Sequence, residues 1–232
     1  MSADYAQIAA LPHAVGEQML LRLDLVSIKP QVIAELGSSD GYCTSLLTVR
    51  YPEAKIFSIP DSEAAEKLSL ADESVDLIIA NLMLSWCEDF EKTLREWRRI
   101  LRPNGLLMFT SLGPDTLSEL HHAPVEFPHF IDMHNLGDGL TRIRFADPVL
   151  DVEYFTVTYR DHAQLAKELQ ILGMVSGNAE QMTLIPNAEG VYSLTFEVVY
   201  GHAWRPELTD EYAADEEGVV RIPLSHLRSR RS

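Results

Sequence analysis

The sequence predicts an α/β protein, a doubly wound and mostly parallel sheet with helices on both faces. Two observations carry that class. Through the first half, runs of β-branched and apolar residues such as "QVIAEL", "KIFSI" and "VDLIIA" alternate with amphipathic stretches. The stretch "VIAELGSSDGYCTSLL", Val32 to Leu47, then reads as a strand, a glycine turn and a helix, which is where such a sheet holds a nucleotide-like ligand.

The elements follow in order. An opening helix is expected over Ala14 to Leu25, and strand "QVIAEL" comes next. Past the glycine turn a helix runs to Arg50, followed by strand "KIFSI" and a short helix "SEAAEKL". Strand "VDLIIA" leads to helix "DFEKTLREWRRIL", which Pro103 and Gly105 of "RPNG" stop before strand "GLLMFTSL". Asp115 to His122 reads as a helical run with Pro114 at a first-turn position, and two prolines then mark an irregular connection. Helix "IDMHNLGDGLTRI", strand "VLDVEYFTVTYR", helix "HAQLAKELQILG" and strand "VYSLTFEVVYGHAW" complete the series. The domain is expected over residues 1–206. The tail, 207–232, is charged and aperiodic and is expected to be only partly ordered.

Composition narrows the function. A hydrophobic content of 46% over 232 residues is ample for one buried core. No run of eighteen apolar residues occurs, and the start "MSADYAQIAALPHAVGEQ" lacks the basic opening of a secretory signal, so a soluble cytoplasmic protein without membrane contact is expected. A net charge of -16 repels phosphate backbones and speaks against nucleic-acid binding. Cys43 and Cys87 form no CxxC pair and have no histidine at ligand spacing, so they read as packing residues and no metal is expected. Lys92, Arg95, Arg98, Arg99 and Arg102 share one helix, either as a solvated face or as a docking patch for an acidic protein.

The candidate ligand residues cluster at strand ends. Glu35 closes the first strand, and Gly37, Ser39 and Gly41 belong to the turn, where glycine permits positive φ and close backbone approach. An acidic side chain at the end of the second strand normally grips ribose hydroxyls. Pro60 stands there instead, one place before Asp61, which either reaches the ligand or caps the next helix together with Ser62. Asn81, at the end of strand "VDLIIA", is placed to line the same pocket, with Trp86 as wall or core.

These motifs converge on a family. "LSLADESVDLIIANLMLSWCEDFEKTLREWRRILRPNGLLMFTSLGPDTLSEL" resembles the S-adenosylmethionine-dependent malonyl-acyl-carrier-protein O-methyltransferases of biotin synthesis. "RLDLVSIKPQVIAELGSSDG", "FIDMHNLGDGLTRIRFADPVLDVEYFTVTYRD" and "LTFEVVYGHAWRP" are similar to other blocks of that family, and the likeness extends from about Gln18 to Pro206. The resemblance implies a Rossmann-like class I methyltransferase fold with an antiparallel last strand, and S-adenosylmethionine as cofactor. It also implies methylation of the free carboxylate of a malonyl thioester on acyl carrier protein. That carboxylate is already a nucleophile, so no catalytic acid or base is assigned, and His134, Tyr159 and Arg160 are the candidate substrate-binding residues.

Three departures from the family pattern stand out. Its turn resembles Asp-x-Gly-Cys-Gly-Thr-Gly, so Ser39 replaces the central glycine and Asp40 a threonine. A non-glycine residue at positive φ costs about 1 kcal/mol, and the ribose contact missing at Pro60 about 1.5–3 kcal/mol. Between "KIFSI" and "VDLIIA" only Pro60 to Ser74 remain, too few for a further βα pair, which predicts that the usual third strand is absent. Glu66 is then the nearest equivalent of the acidic residue that would follow it. Together the departures predict weakened cofactor binding, and the alternative reading is a degenerate methyltransferase fold acting as a non-catalytic binding or accessory protein.

Overall fold

The computed structural model describes residues 10–37, 40–60, 65–120, 127–128, 130–175, 182 and 184–207. Six strands form one sheet in the order β2-β1-β3-β4-β6-β5. They are β1 (Val32–Leu36), β2 (Lys55–Ile59), β3 (Val75–Ala80), β4 (Leu101–Leu112), β5 (Ala146–Tyr159) and β6 (Tyr192–Trp204). β1 to β4 pair in parallel, while β6 runs antiparallel to both β4 and β5. The doubly wound sheet with an antiparallel last strand is as expected. β2 pairs with β1 alone and forms the sheet edge, so among the described residues the third strand is missing as the short segment predicted.

Among the described residues five helices cover the sheet: α1 (Ala10–Arg22), α2 (Tyr42–Arg50), α3 (Phe90–Ile100), α4 (Met133–Arg142) and α5 (His162–Ile171). Alternation along the strands feeds two cores. Ile33, Leu77, Ile79 and Met108 pack with Val15 and Met19 of α1, Leu47 of α2 and Leu165 of α5. On the other face Ala34, Ile78, Leu107 and Phe109 pack with Leu94 and Trp97 of α3 and Leu136 of α4. Asp89, Asp132 and Asp161 cap α3, α4 and α5, each accepting a backbone N–H of the first turn.

The boundaries correct the sequence reading in four places. Within the described residues α1 already runs from Ala10, ahead of the expected Ala14, and carries Pro12. It yields to a 3₁₀ turn over Leu23–Leu25. α3 does end where expected, but β4 starts at once: Leu101 pairs with Val75, and the ladder resumes only at Leu77 and Leu106. "RPNG" is therefore a bulge inside the strand, with Asn104 at φ 61°.

The helix expected over Asp115 to His122 is not formed in its described part, which ends in a single 3₁₀ turn, Ser118–Leu120. β6 draws its backbone and side chains away. The buried Glu197 accepts the Asp115 N–H at 2.7 Å, Leu117 N–H donates to the Thr195 carbonyl at 2.7 Å, and Glu119 accepts the Thr195 hydroxyl at 2.6 Å. The short helix "SEAAEKL" is likewise replaced by turns from Ala65 to Leu68, where the Leu68 N–H donates to Glu96 at 2.7 Å. Its first residues, and the tail from 208 on, lie outside the described residues.

Candidate functional site

Where strand order reverses, beyond the carboxyl ends of β1 and β3, lies a cavity of about 570 Å³. That is the place and the size of a small-molecule site, for which about 300–1,000 Å³ is usual. Glu35 and Gly37 form its floor, Asn81 to Met83 one side, and Pro12 and His13 of α1 its cover. Its charge is one-sided. Glu35, Asp40, Glu66 and Glu88 line it, and no lysine or arginine is among its described lining residues.

The floor is built by hydroxyls. Glu35 is only 3% exposed, and its carboxylate accepts from Thr44 of α2 at 2.6 Å and Ser58 of β2 at 3.1 Å. Two bonds leave lone pairs free on a carboxylate that can take about four. Gly37 (φ 81°) turns the chain out of β1, and its N–H donates to the Ile59 carbonyl at 3.0 Å. Gly41, at φ 76°, starts α2. These are the positions where the turn requires glycine.

The Asp40 carboxylate, which stands where the family's turn has a threonine, is bound from two sides. One oxygen accepts the Tyr42 N–H at 3.0 Å, and the other meets His13 Nε2 at 2.5 Å. Burial alone would raise its pKa, but the bonds from His13 and the Tyr42 N–H outweigh it and hold the carboxyl below its ordinary value. The His13 ring stacks on Tyr42 with centroids 3.8 Å apart, and the Tyr42 hydroxyl donates to Glu17. α1 is thereby fastened to the turn. Asn81 adds a second tie, donating to the Pro12 carbonyl at 2.8 Å and accepting from Thr110 at 2.9 Å.

A second cavity of about 420 Å³ adjoins the first and shares Trp86, Cys87 and Glu88 with it. Phe90, Ile131, Asn135 and Arg142 complete most of its wall.

Of the residues proposed as cofactor contacts from sequence, Glu35, Gly37 and Asn81 line the first cavity, Gly41 is not among its lining residues but falls between Asp40 and Tyr42, which are, and Ser39 and Asp61 lie outside the described residues. Glu66 lines it too, holding Lys92 at 2.5 Å. The proposed substrate residues lie elsewhere. His134 is exposed and bonded to Asp132 at 2.9 Å, in the cap of α4. Tyr159 ends β5 opposite Tyr192, and burial and Glu168 push its phenol pKa up. Arg160 is exposed at the strand's end. None of the three lines either cavity.

His13 and Arg142 escaped the sequence reading because nothing local marks them; their partners Asp40 and Glu91 lie 27 and 51 positions away. The basic cluster does not share one helix, since four of its residues lie on α3 and Arg102 lies on β4, and most of its charges are paired. Lys92 binds Glu66, Arg95 binds Glu91, Arg99 binds Glu96 and Asp72, and Arg102 binds Asp76. Arg98 donates to the Arg144 carbonyl at 3.4 Å. Among the described residues no helix is long and apolar enough to cross a membrane.

Comparison with known proteins agrees with this architecture. Residues 36–109 match the family model described as a methyltransferase domain. The fold resembles the YcgJ protein of Bacillus subtilis at TM-score 0.56 and 13% identity, covering 82% of this chain and 99% of that one. It is equally similar to a putative methyltransferase of Bacillus halodurans, with TM-score 0.56 at 10% identity, covering 82% of this chain and 100% of that one. Sequence relatives are nearer. A malonyl-acyl-carrier-protein O-methyltransferase of Coxiella burnetii is 35% identical over 97% of this chain and 92% of its own length. Its counterpart in Methylovorus is 35% identical over 88% of this chain and 85% of its own length. With identity at that level running through both halves of the sheet, this chain belongs to the family of malonyl-acyl-carrier-protein O-methyltransferases.

Proposed function

We propose that the chain transfers a methyl group from S-adenosylmethionine to the free carboxylate of a malonyl thioester carried by acyl carrier protein. The observation that carries this reading is the one-sided cavity: a cationic cofactor suits a site lined by Glu35, Asp40, Glu66 and Glu88 and by no described lysine or arginine. The residues present fit the group. Gly37, at positive φ, lines the cavity and lets the backbone come close to a ligand there. Bound there, the cofactor would supply a methyl group on an electron-poor sulfur.

The chain's own residues position and enclose. Glu35 has lone pairs to offer a cationic or hydroxylic group, Trp86, Met83 and Met174 provide apolar walls that keep water out, and the α1 cover closes over the turn through His13. No base is needed, because a carboxylate is ionised at neutral pH; the rate advantage comes from orientation.

Incubating the purified chain with malonyl-acyl carrier protein and S-adenosylmethionine should add one methyl group to the acyl chain by mass spectrometry. Calorimetry should show binding of S-adenosylmethionine and S-adenosylhomocysteine. No heat of binding at millimolar ligand would exclude the catalytic reading.

A further inference from the structure

We propose that Arg142, assisted by Asn135, binds the terminal carboxylate of the acyl substrate in the second cavity. The inference rests on the proposed methyl transfer and names the group that receives the substrate's negative charge. Three observations lead to it. Across the described lining of both cavities Arg142 is the only lysine or arginine, so it is the guanidinium or ammonium group that the described walls offer to a carboxylate. The cavity shares the Trp86 to Glu88 wall with the cofactor cavity, so a group held in it lies next to that site. Asn135 and Arg142 stand seven residues apart on α4, two turns along one helix face, which aims both at the same space.

The cluster around Arg142 is one carboxylate short of neutral. Glu91 receives Arg142 through Oε1, at 3.1 Å from Nε and 2.6 Å from Nη2, and Arg95 through Oε2 at 2.8 Å. One carboxylate thus serves two guanidiniums, leaving one positive charge in the triad. A second carboxylate completes it. Arg142 is 56% exposed, so its fork is accessible from the cavity without unpacking the core. Bound through one oxygen, a carboxylate keeps its other oxygen free as nucleophile. Phe90 and Ile131 supply apolar wall for the short carbon chain. Glu88, exposed on the shared wall, opposes a carboxylate at its own end of the cavity, so the anion is held at the Arg142 end.

The test is calorimetric titration of the full chain, with S-adenosylhomocysteine present, using malonyl-pantetheine and acetyl-pantetheine. The wild type should prefer the malonyl compound by roughly tenfold or more, the size of a charge-assisted contact. Arg142→Gln should bring the two to parity with acetyl binding and thermal midpoint unchanged. Glu91→Gln, which removes the competing carboxylate, should tighten malonyl binding. A malonyl preference that survives in Arg142→Gln overturns the proposal. Steady-state kinetics separates it from the reading it rests on. If the wild type methylates malonyl-acyl carrier protein and Arg142→Gln does so with unchanged KM, the anchor is wrong and the activity stands. If Arg142-dependent binding is seen but no methyl is transferred, the activity is wrong and the anchor stands.

Discussion

His13 of α1 and Asp40 of the turn after β1 meet at 2.5 Å, joining the cover of the cavity to its floor. The pair converts the residue that departs most from the family's turn into an anchor. Burial works against the Asp40 charge, and the bonds from His13 and Tyr42 N–H overcome it. Its carboxyl therefore titrates lower in the folded chain than in the unfolded one, where about 3.9 applies. The stability it contributes is present above that value and disappears as pH falls through the lower, folded pKa. In acid titrations followed by circular dichroism, Asp40→Asn should be less stable than the wild type at neutral pH and the difference should shrink below about pH 4. His13→Ala, which also loses the stack on Tyr42, should cost about 0.5–1 kcal/mol for a partly exposed pair. A neutral-pH melting curve for it identical to wild type would remove the anchor role.

Two glycines at the site should respond differently to alanine. At Gly41 a Cβ meets open space, so Gly41→Ala costs only the backbone term of φ 76°, about 1–2 kcal/mol. At Gly16 of α1 the same Cβ would stand 2.7 Å from Cys43 Sγ and 3.1 Å from Asn81 Nδ2. Gly16→Ala should therefore push α1 off the cavity, costing about 1–3 kcal/mol and weakening cofactor binding as well. Thermal melts and cofactor titrations on the two variants check this. Equal loss of affinity in both would contradict it.

The thiols should be inert in the native chain. Cys43 is buried and, by desolvation and the nearby Glu35 and Asp40 charges, its pKa is pushed up to about 12. Desolvation also raises Cys87. Since the thiolate is the reactive form, a disulfide reagent at pH 8 should react with Cys43 only in denaturant. Fast modification of Cys43 under native conditions would show that the α1 cover opens.

At the end of β2, Pro60 is exposed and occupies the place where a carboxylate usually grips ribose. Pro60→Asp should tighten S-adenosylmethionine binding by roughly tenfold to a hundredfold, the worth of about 1.5–3 kcal/mol. An unchanged affinity would show that the side chain at position 60 does not limit cofactor binding.

Much of the scaffold was readable locally. "KIFSI" and "VDLIIA" are strands to the residue, because short β-branched runs bounded by polar and turn residues have no better conformation. α3 and α4 follow their periodicity and their aspartate caps. The run from Asp115 failed because Glu197, 82 residues on, offers its backbone a buried acceptor. The site divides in the same way. Glu35, Gly37 and Asn81 were found from strand ends, whereas His13 and Arg142 depend on which helix the sheet brings alongside.

Alternation, caps and the glycine turn determined by themselves that this chain is a doubly wound α/β sheet, and the short link before β3, set beside the family pattern, determined that a third strand is missing among the described residues. Those features act within a few residues, where period and φ decide the outcome. The tertiary structure alone decided that Asp40 is bound rather than free, that α1 covers the cavity, and that two arginines share Glu91 beside a second one. Each of these turns on the distance between charges far apart in the chain, a quantity no local pattern encodes.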